Sequence, residues 1–342
     1  MIVLAVIVRC LILVLVMHHI ASDGWSNNIL IKEFVSLYSA LKNGVTPTLP
    51  HLQFQYKEYA FWQRSSAEEE TLQDQLQYWE SKLENVTPVL VPTDFPRPSQ
   101  QSTEGAVIHY ELKETLKDKL IALCEKEGVT LFMTLITALK VVLHKYTGQE
   151  DICIGTPIAN RTHQELEGLI GFFINTLALR TTVNSQADFK TVLQDVKETT
   201  LEAYDHQMVP FEKVVDRVVS SRDMSMTPVF QVMFVLQNTP DNQEITMEDV
   251  VLTPYEYGAT TAQFDISLTA TETQHGISLE IEYGTAIFKE ETMRRMFVHF
   301  ENVLHSMVSS VETAVAHLSI ISKEEKYPVS YTHLTLPTSA IV

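Results

Sequence analysis

The segment Met17-His18-His19-Ile20-Ala21-Ser22-Asp23-Gly24-Trp25-Ser26 constrains this chain more than any other stretch. It closes an apolar run, Leu11 to Val16, that reads as a buried β-strand. Side chains alternate along a strand, so His18 and His19 are expected on opposite faces, and only one of them reaches any one cleft. Asp23 then opens a tight turn with Gly24, a residue that tolerates positive φ and close backbone approach. A strand, an imidazole base, a turning carboxylate and a glycine form the pattern of a catalytic loop. A buried histidine pair beside an ordinary Asp-Gly turn is the alternative. A metal site finds no nearby Cys or His partner at ligand spacing.

His18-His19-x-x-x-Asp23-Gly24 with Ser26 resembles the core motif of condensation domains from non-ribosomal peptide synthetases. That family is related to chloramphenicol acetyltransferase and other His-x-x-x-Asp acyltransferases. Four further segments follow in the family's order. They are Tyr56-Lys57-Glu58-Tyr59-Ala60-Phe61-Trp62-Gln63-Arg64, Ile170-Gly171-Phe172-Phe173-Ile174-Asn175-Thr176-Leu177-Ala178-Leu179-Arg180, His206-Gln207-Met208-Val209-Pro210-Phe211-Glu212 and Arg222-Asp223-Met224-Ser225-Met226-Thr227-Pro228. The resemblance covers roughly Leu11 to Lys326.

It implies a mixed α/β (α+β) fold, the chloramphenicol acetyltransferase-like two-layer sandwich, two-lobed and V-shaped with the first lobe incomplete. Residues 1–95 are then a remnant of the N-terminal lobe carrying the motif, 96–104 the connector, and 105–326 the C-terminal lobe. The family's leading segments, Ser-x-Ala-Gln-x-Arg and Arg-His-Glu-x-Leu-Arg, are expected upstream of Met1, so the chain alone is expected to be inactive and sensitive to protease up to about residue 95. Residues 327–342 fit nothing in the family; Val329 to Thr338 look like translated sequencing-adapter read-through and are set aside as a non-native tail.

Composition narrows the alternatives. With 45% hydrophobic and 20% charged residues the chain can pack a core. Its formal net charge of -18 argues against nucleic-acid binding, which needs a basic stripe. Three scattered cysteines, Cys10, Cys124 and Cys153, fit a reducing compartment, and a cytoplasmic location is expected. The apolar N-terminus lacks a basic leader and a cleavage site, and it is short of the ~20 residues a spanning helix needs, so no membrane is expected.

The rest of the chain reads as alternating helices and strands. Ser26 is expected to cap a helix through Phe34 and Tyr38, and Glu68 to Glu84 to form an amphipathic helix with Leu72, Leu76, Trp79 and Leu83 on one stripe. Four prolines make 88–102 a connector. Beyond it, strands are expected near 106–112, 152–156 (ended by Pro157), 174–182, 229–236, 249–257, 264–271 and 277–283. Helices are expected near 114–127, 131–146, 189–204, after Pro210, and over 290–309.

The chemistry the resemblance implies is amide-bond formation between two carrier-bound acyl thioesters. The partners are upstream and downstream peptidyl carrier proteins and an adjacent adenylation domain. No cofactor is bound by the domain itself; the substrates arrive on phosphopantetheine arms. An α-amino group titrates near ~8 and must lose a proton to attack, which an imidazole near ~6.5 can accept. The family gives that place to His19 and leaves His18 to structure. Asp23 is read as architectural, paired with Arg161 or else with Arg180. Gly24 N–H or the Ser26 hydroxyl is a candidate to support the oxyanion. Asn175 either lines the tunnel or caps a strand, and His206-Gln207 and Phe211-Glu212 read as scaffold. An epimerisation domain shares the His-His motif and stays as the alternative, with an inactive fragment. A heterocyclisation domain would carry a carboxylate pair in its place. The wording of Phe172 to Arg180 and Phe234 to Asn238 points to a subtype joining an L-donor to an L-acceptor.

Overall fold

The computed structural model describes residues 2–7, 10–221, 223–237, 245–247, 250–253, 261–321 and 325. Elements run in chain order as β1 (Ile2–Ile7), β2 (Cys10–Leu15), α1 (Gly24–Lys42), α2 (Tyr56–Gln63), α3 (Ser66–Lys82), β3 (Gly105–Lys113), α4 (Glu114–Glu127), α5 (Leu131–Thr147), β4 (Asp151–Ile158) and β5 (Asn175–Thr182). They continue as α6 (Phe189–Asp205), α7 (Phe211–Val218), β6 (Val232–Gln237), β7 (Ile245–Met247), β8 (Val250–Leu252), β9 (Ile266–Thr273), β10 (Gly276–Gly284) and α8 (Glu290–Ser309).

The central sheet has the order β3-β10-β9-β6-β4-β5. β6 runs parallel to both β9 and β4, and the other pairs are antiparallel. Mixed pairing of this kind needs helical crossovers, and α4, α5, α6 and α8 supply the second layer. α5 sits innermost, buried continuously from Met133 to His144. Thr130 caps its start, and Gly148 at φ +71° ends it in the left-handed conformation that residues with a Cβ avoid. Lys140 of α5 is fully buried; its Nζ donates to the carbonyls of Ile152 (3.0 Å) in β4 and Leu179 (2.6 Å) in β5. Among the described residues no carboxylate bonds it, and burial pushes its ammonium down to about 7.

Several expectations change on the fold. β2 is a strand but not a buried one: Leu13 to Val16 are exposed, because among the described residues β2 pairs only with β1, in a separate two-stranded hairpin. The chain also leaves the extended conformation at His19, which opens a 3-10 turn through Ala21, so strand alternation does not orient His18 and His19. Asp23, not Ser26, caps α1, its carboxylate accepting the Ser26 N–H at 2.8 Å. Pro157 does not end β4, which continues to Ile158 opposite Asn175. Trp79, Leu83, Val89 and Val91 are buried in the core of the six-stranded sheet, and Trp79 Nε1 donates to the His206 carbonyl at 2.8 Å. Residues 249 and 254–257 of the strand expected at 249–257, Arg222, Asn238 and the tail 327–342 lie outside the described residues.

Candidate functional site

The motif segment is held against the loop between β4 and β5 by polar contacts that reach far along the chain. Asp23, 3% exposed, caps α1 with Oδ1 and with Oδ2 accepts the Phe173 N–H at 3.0 Å. Arg161 Nη2 lies 3.3 Å from Asp23 Oδ1, and both side chains are 2% exposed. The same guanidinium donates to the Ser26 hydroxyl (2.9 Å) and to the carbonyls of Leu166 and Leu169. Its face lies 4.0 Å from the Phe173 ring centroid. Burial alone would raise the Asp23 carboxyl, but the hydrogen bonds from Ser26 and Phe173 and the Arg161 charge outweigh it and hold the group below the usual carboxylate range. Arg180, the alternative partner for Asp23, instead pairs with Asp151.

These anchors leave the two histidines free to differ. His18 Nδ1 accepts the Ile20 N–H at 3.1 Å and so closes the 3-10 turn. His19 Nδ1 lies 2.7 Å from the Ser22 carbonyl oxygen, and its ring meets Phe172 edge-on with centroids 5.1 Å apart. A carbonyl only accepts, so the Nδ1 of His19 carries a proton, and in the neutral ring its Nε2 then carries the lone pair. Two groups that sequence reasoning passed over, the Ser22 backbone carbonyl and the Phe172 ring, thereby set the base. Ser22 fixes the tautomer and Phe172 the ring plane. Phe172 stood inside a segment singled out for its resemblance, but nothing in spacing tied it to His19.

His18, His19, Asp23 and Gly24 border a cleft of about 850 Å³ that Leu13, Leu15, Leu30, Ile31, Phe34 and Leu252 make largely apolar. Leu252 comes from β8, far along the chain, in a small hairpin with β7. Gly24 does not serve the turn: it is the first residue of α1 without a left-handed φ, and a Cβ there would meet nothing within 4 Å. Its lack of a side chain leaves room in the cleft. Ser26 is removed from oxyanion duty, because its buried hydroxyl donates to the Gly171 carbonyl (3.0 Å) and accepts from Gly171 N and Arg161. Asn175 does not border this cleft. It starts β5, donates to the carbonyls of Gln207 and Val209, and accepts from Thr176 and Phe211 N–H. That ties the sheet to the His206–Glu212 segment, where His206 stacks on Tyr78 at 3.8 Å. Another cleft of about 660 Å³, lined by Tyr78, Arg180, Asp151, Lys82 and Glu202, holds none of His18, His19, Asp23 and Gly24. Among the described residues no group of three or more His, Cys, Asp and Glu side chains is arranged for a metal ion.

Comparison with known proteins adds three findings. The condensation-domain family model matches residues 8–328. Gramicidin S synthase 2 of Brevibacillus brevis is 38% identical over 316 residues, covering 92% of this chain and 7% of that protein. Bacitracin synthase 2 of Bacillus licheniformis is 40% identical over 94% of this chain and 12% of that protein, so the chain spans a small part of the curated relatives it matches. Among solved structures, the X-domain from teicoplanin biosynthesis superposes with a TM-score of 0.81 at 23% identity, covering 89% of this chain and 71% of that one. The first condensation domain of the CDA synthetase gives 0.71 at 17% identity, over 90% and 66% of the two chains. These likenesses carry the fold. No described single helix is long and apolar enough to cross a membrane.

Proposed function

The chain belongs to the condensation-domain family, and from that premise we propose that it joins an upstream acyl or peptidyl thioester to a downstream aminoacyl thioester. Each substrate is presented on the phosphopantetheine arm of a peptidyl carrier protein, with an adjacent adenylation domain supplying the aminoacyl group, all in the cytoplasm. The observation that carries this reading is the 2.7 Å bond between His19 Nδ1 and the Ser22 carbonyl, which leaves Nε2 as an acceptor beside an apolar cleft.

The amine nitrogen attacks the thioester carbon while His19 Nε2 takes a proton from it. The C–N bond forms, the electron pair moves to the carbonyl oxygen and returns, and the C–S bond breaks. The departing thiolate receives the proton from His19. Positioned base catalysis of this kind contributes ~10²–10⁴-fold. Asp23 takes no proton here: with its oxygens held by Ser26, Phe173 and Arg161, it anchors the loop that carries His19. His18 braces the turn, Gly24 keeps the cleft open, and Arg161, Ser26 and Asn175 support the frame. The apolar walls exclude water and so protect the thioester from hydrolysis.

The test uses a condensation domain completed to the length of its solved relatives and two loaded carriers. Intact mass spectrometry is expected to find the joined product on the downstream carrier and a free thiol on the upstream one. Inversion of an α-carbon on one carrier, without transfer, would overturn the condensation reading and identify an epimerisation domain instead.

A further inference from the structure

Asn27 lies on the first turns of α1, exposed in the cleft that also holds His19. Its carboxamide oxygen accepts the Ser22 hydroxyl at 2.9 Å. The Ser22 carbonyl, in turn, holds His19 Nδ1 at 2.7 Å. One buried residue therefore grips both the base and the amide. An amide held by its oxygen has its two N–H donors left to offer, and the Ser22 bond polarises them in the favourable direction.

The other polar side chains at the cleft, His18 apart, have spent their capacity or have nothing to donate. Asp23 accepts only, and its oxygens are taken by Ser26, Phe173 and Arg161. His18 Nδ1 accepts from Ile20 N–H, so its Nε2 carries the proton, on a ring committed to bracing the turn rather than tied to His19 through Ser22. The Ser22 hydroxyl is turned to Asn27. The Ser26 hydroxyl is buried against Gly171 and Arg161. No described residue accepts from Asn27 Nδ2, and Gly24 beside it leaves open space. A thioester in this cleft brings one polar group that needs a donor, its carbonyl oxygen.

We propose that Asn27 Nδ2 is the donor that receives the thioester carbonyl oxygen of the acyl substrate and holds the negative charge that develops there. The proposal rests on the condensation reading. As the amine attacks, the π pair moves onto this oxygen under the Asn27 N–H. As the pair returns, the C–S bond breaks and the thiolate leaves. A fixed donor aimed at the developing charge acts mainly on the transition state, so its loss falls on kcat more than on KM.

Asn27→Asp keeps the size and the oxygen that Ser22 bonds but removes the donor; Asn27→Ala removes both. In the completed domain each variant is expected to lose roughly 100-fold in kcat with KM little changed. A second readout does not depend on turnover. An acyl-S-pantetheine labelled with ¹³C at the carbonyl is bound to the chain, and its C=O stretch is recorded by isotope-edited infrared spectroscopy. A shift to lower frequency in the wild type that disappears in Asn27→Asp supports the donor. A wild-type carbonyl at its solution frequency, or Asn27→Ala at full rate, overturns it. Failure of the condensation reading would show separately, as no amide product from wild type while the carbonyl shift and its loss in Asn27→Asp still support the donor.

Discussion

Breaking the Asp23–Arg161 pair is expected to destabilise the fold as strongly as removing a large core side chain. The two groups approach to 3.3 Å with both side chains 2% exposed. Arg161→Met strands the carbonyls of Leu166 and Leu169 as well as the Asp23 charge, which would keep only the N–H groups of Ser26 and Phe173. Removing one partner of such a pair costs about 3–5 kcal/mol. Asp23→Asn brings an amide N–H2 towards either the Phe173 N–H or the guanidinium, and the lower end of that range, about 3 kcal/mol, is expected. The double variant buries no unpaired charge, so it is expected to lose about 2 kcal/mol less than the sum. The assay is a double-mutant cycle by urea denaturation at pH 7. Asp23's carboxyl is depressed in the fold, so its contribution is complete above the unfolded value near ~3.9 and is lost only as pH falls through the folded value. Additivity to within ~0.5 kcal/mol would refute the pairing.

Three further outcomes follow from the same geometry. Lys140 is depressed to about 7, so between there and ~10.4 the unfolded chain binds the extra proton and stability rises with pH; relative to Lys140→Met, wild type is expected to gain about 3 kcal/mol between pH ~7 and ~9.5, and parallel urea-denaturation profiles would contradict this. Nitrogen-15 NMR of the neutral His19 ring is expected to show the proton on Nδ1, and an Nε2–H tautomer would remove the proposed base. Gly24→Ala, at the start of α1 with open space around its Cβ, is expected to raise stability by up to ~1 kcal/mol while slowing condensation; a thermal melt and a rate measurement separate the two effects.

The regular elements of the central sheet and its helical layer were legible because their apolar periods repeat. The helix expected over 290–309 spans Glu290–Ser309, and α4 spans Glu114–Glu127 as its period requires. Trp79 and Leu83 announced a packing stripe, but a stripe does not say which core receives it. The motif loop was misread where two rules compete. A strand pattern placed the histidines on opposite faces, yet the turn closed by His18 Nδ1 ends the extended backbone first. Asp23 and Ser26 are both good caps, and the aspartate wins because its carboxylate reaches the Ser26 N–H while the serine hydroxyl turns to Gly171. Ser22's carbonyl and Lys140's sheet contacts leave no trace in residue type, since each depends on a backbone oxygen that every residue carries.

The central claim, that His19 moves the proton in amide formation, is tested most directly by a single-turnover reaction of the completed domain with one loaded carrier on each side. Product on the downstream carrier is followed by intact mass spectrometry. His19→Ala, which deletes the ring held by Ser22 and Phe172, is expected to lose at least ~100-fold in rate while its thermal melt stays near wild type. His18→Ala, which deletes only the brace to Ile20 N–H, is expected to retain most of the rate and to melt lower. A His19→Ala rate within a few-fold of wild type would contradict the account.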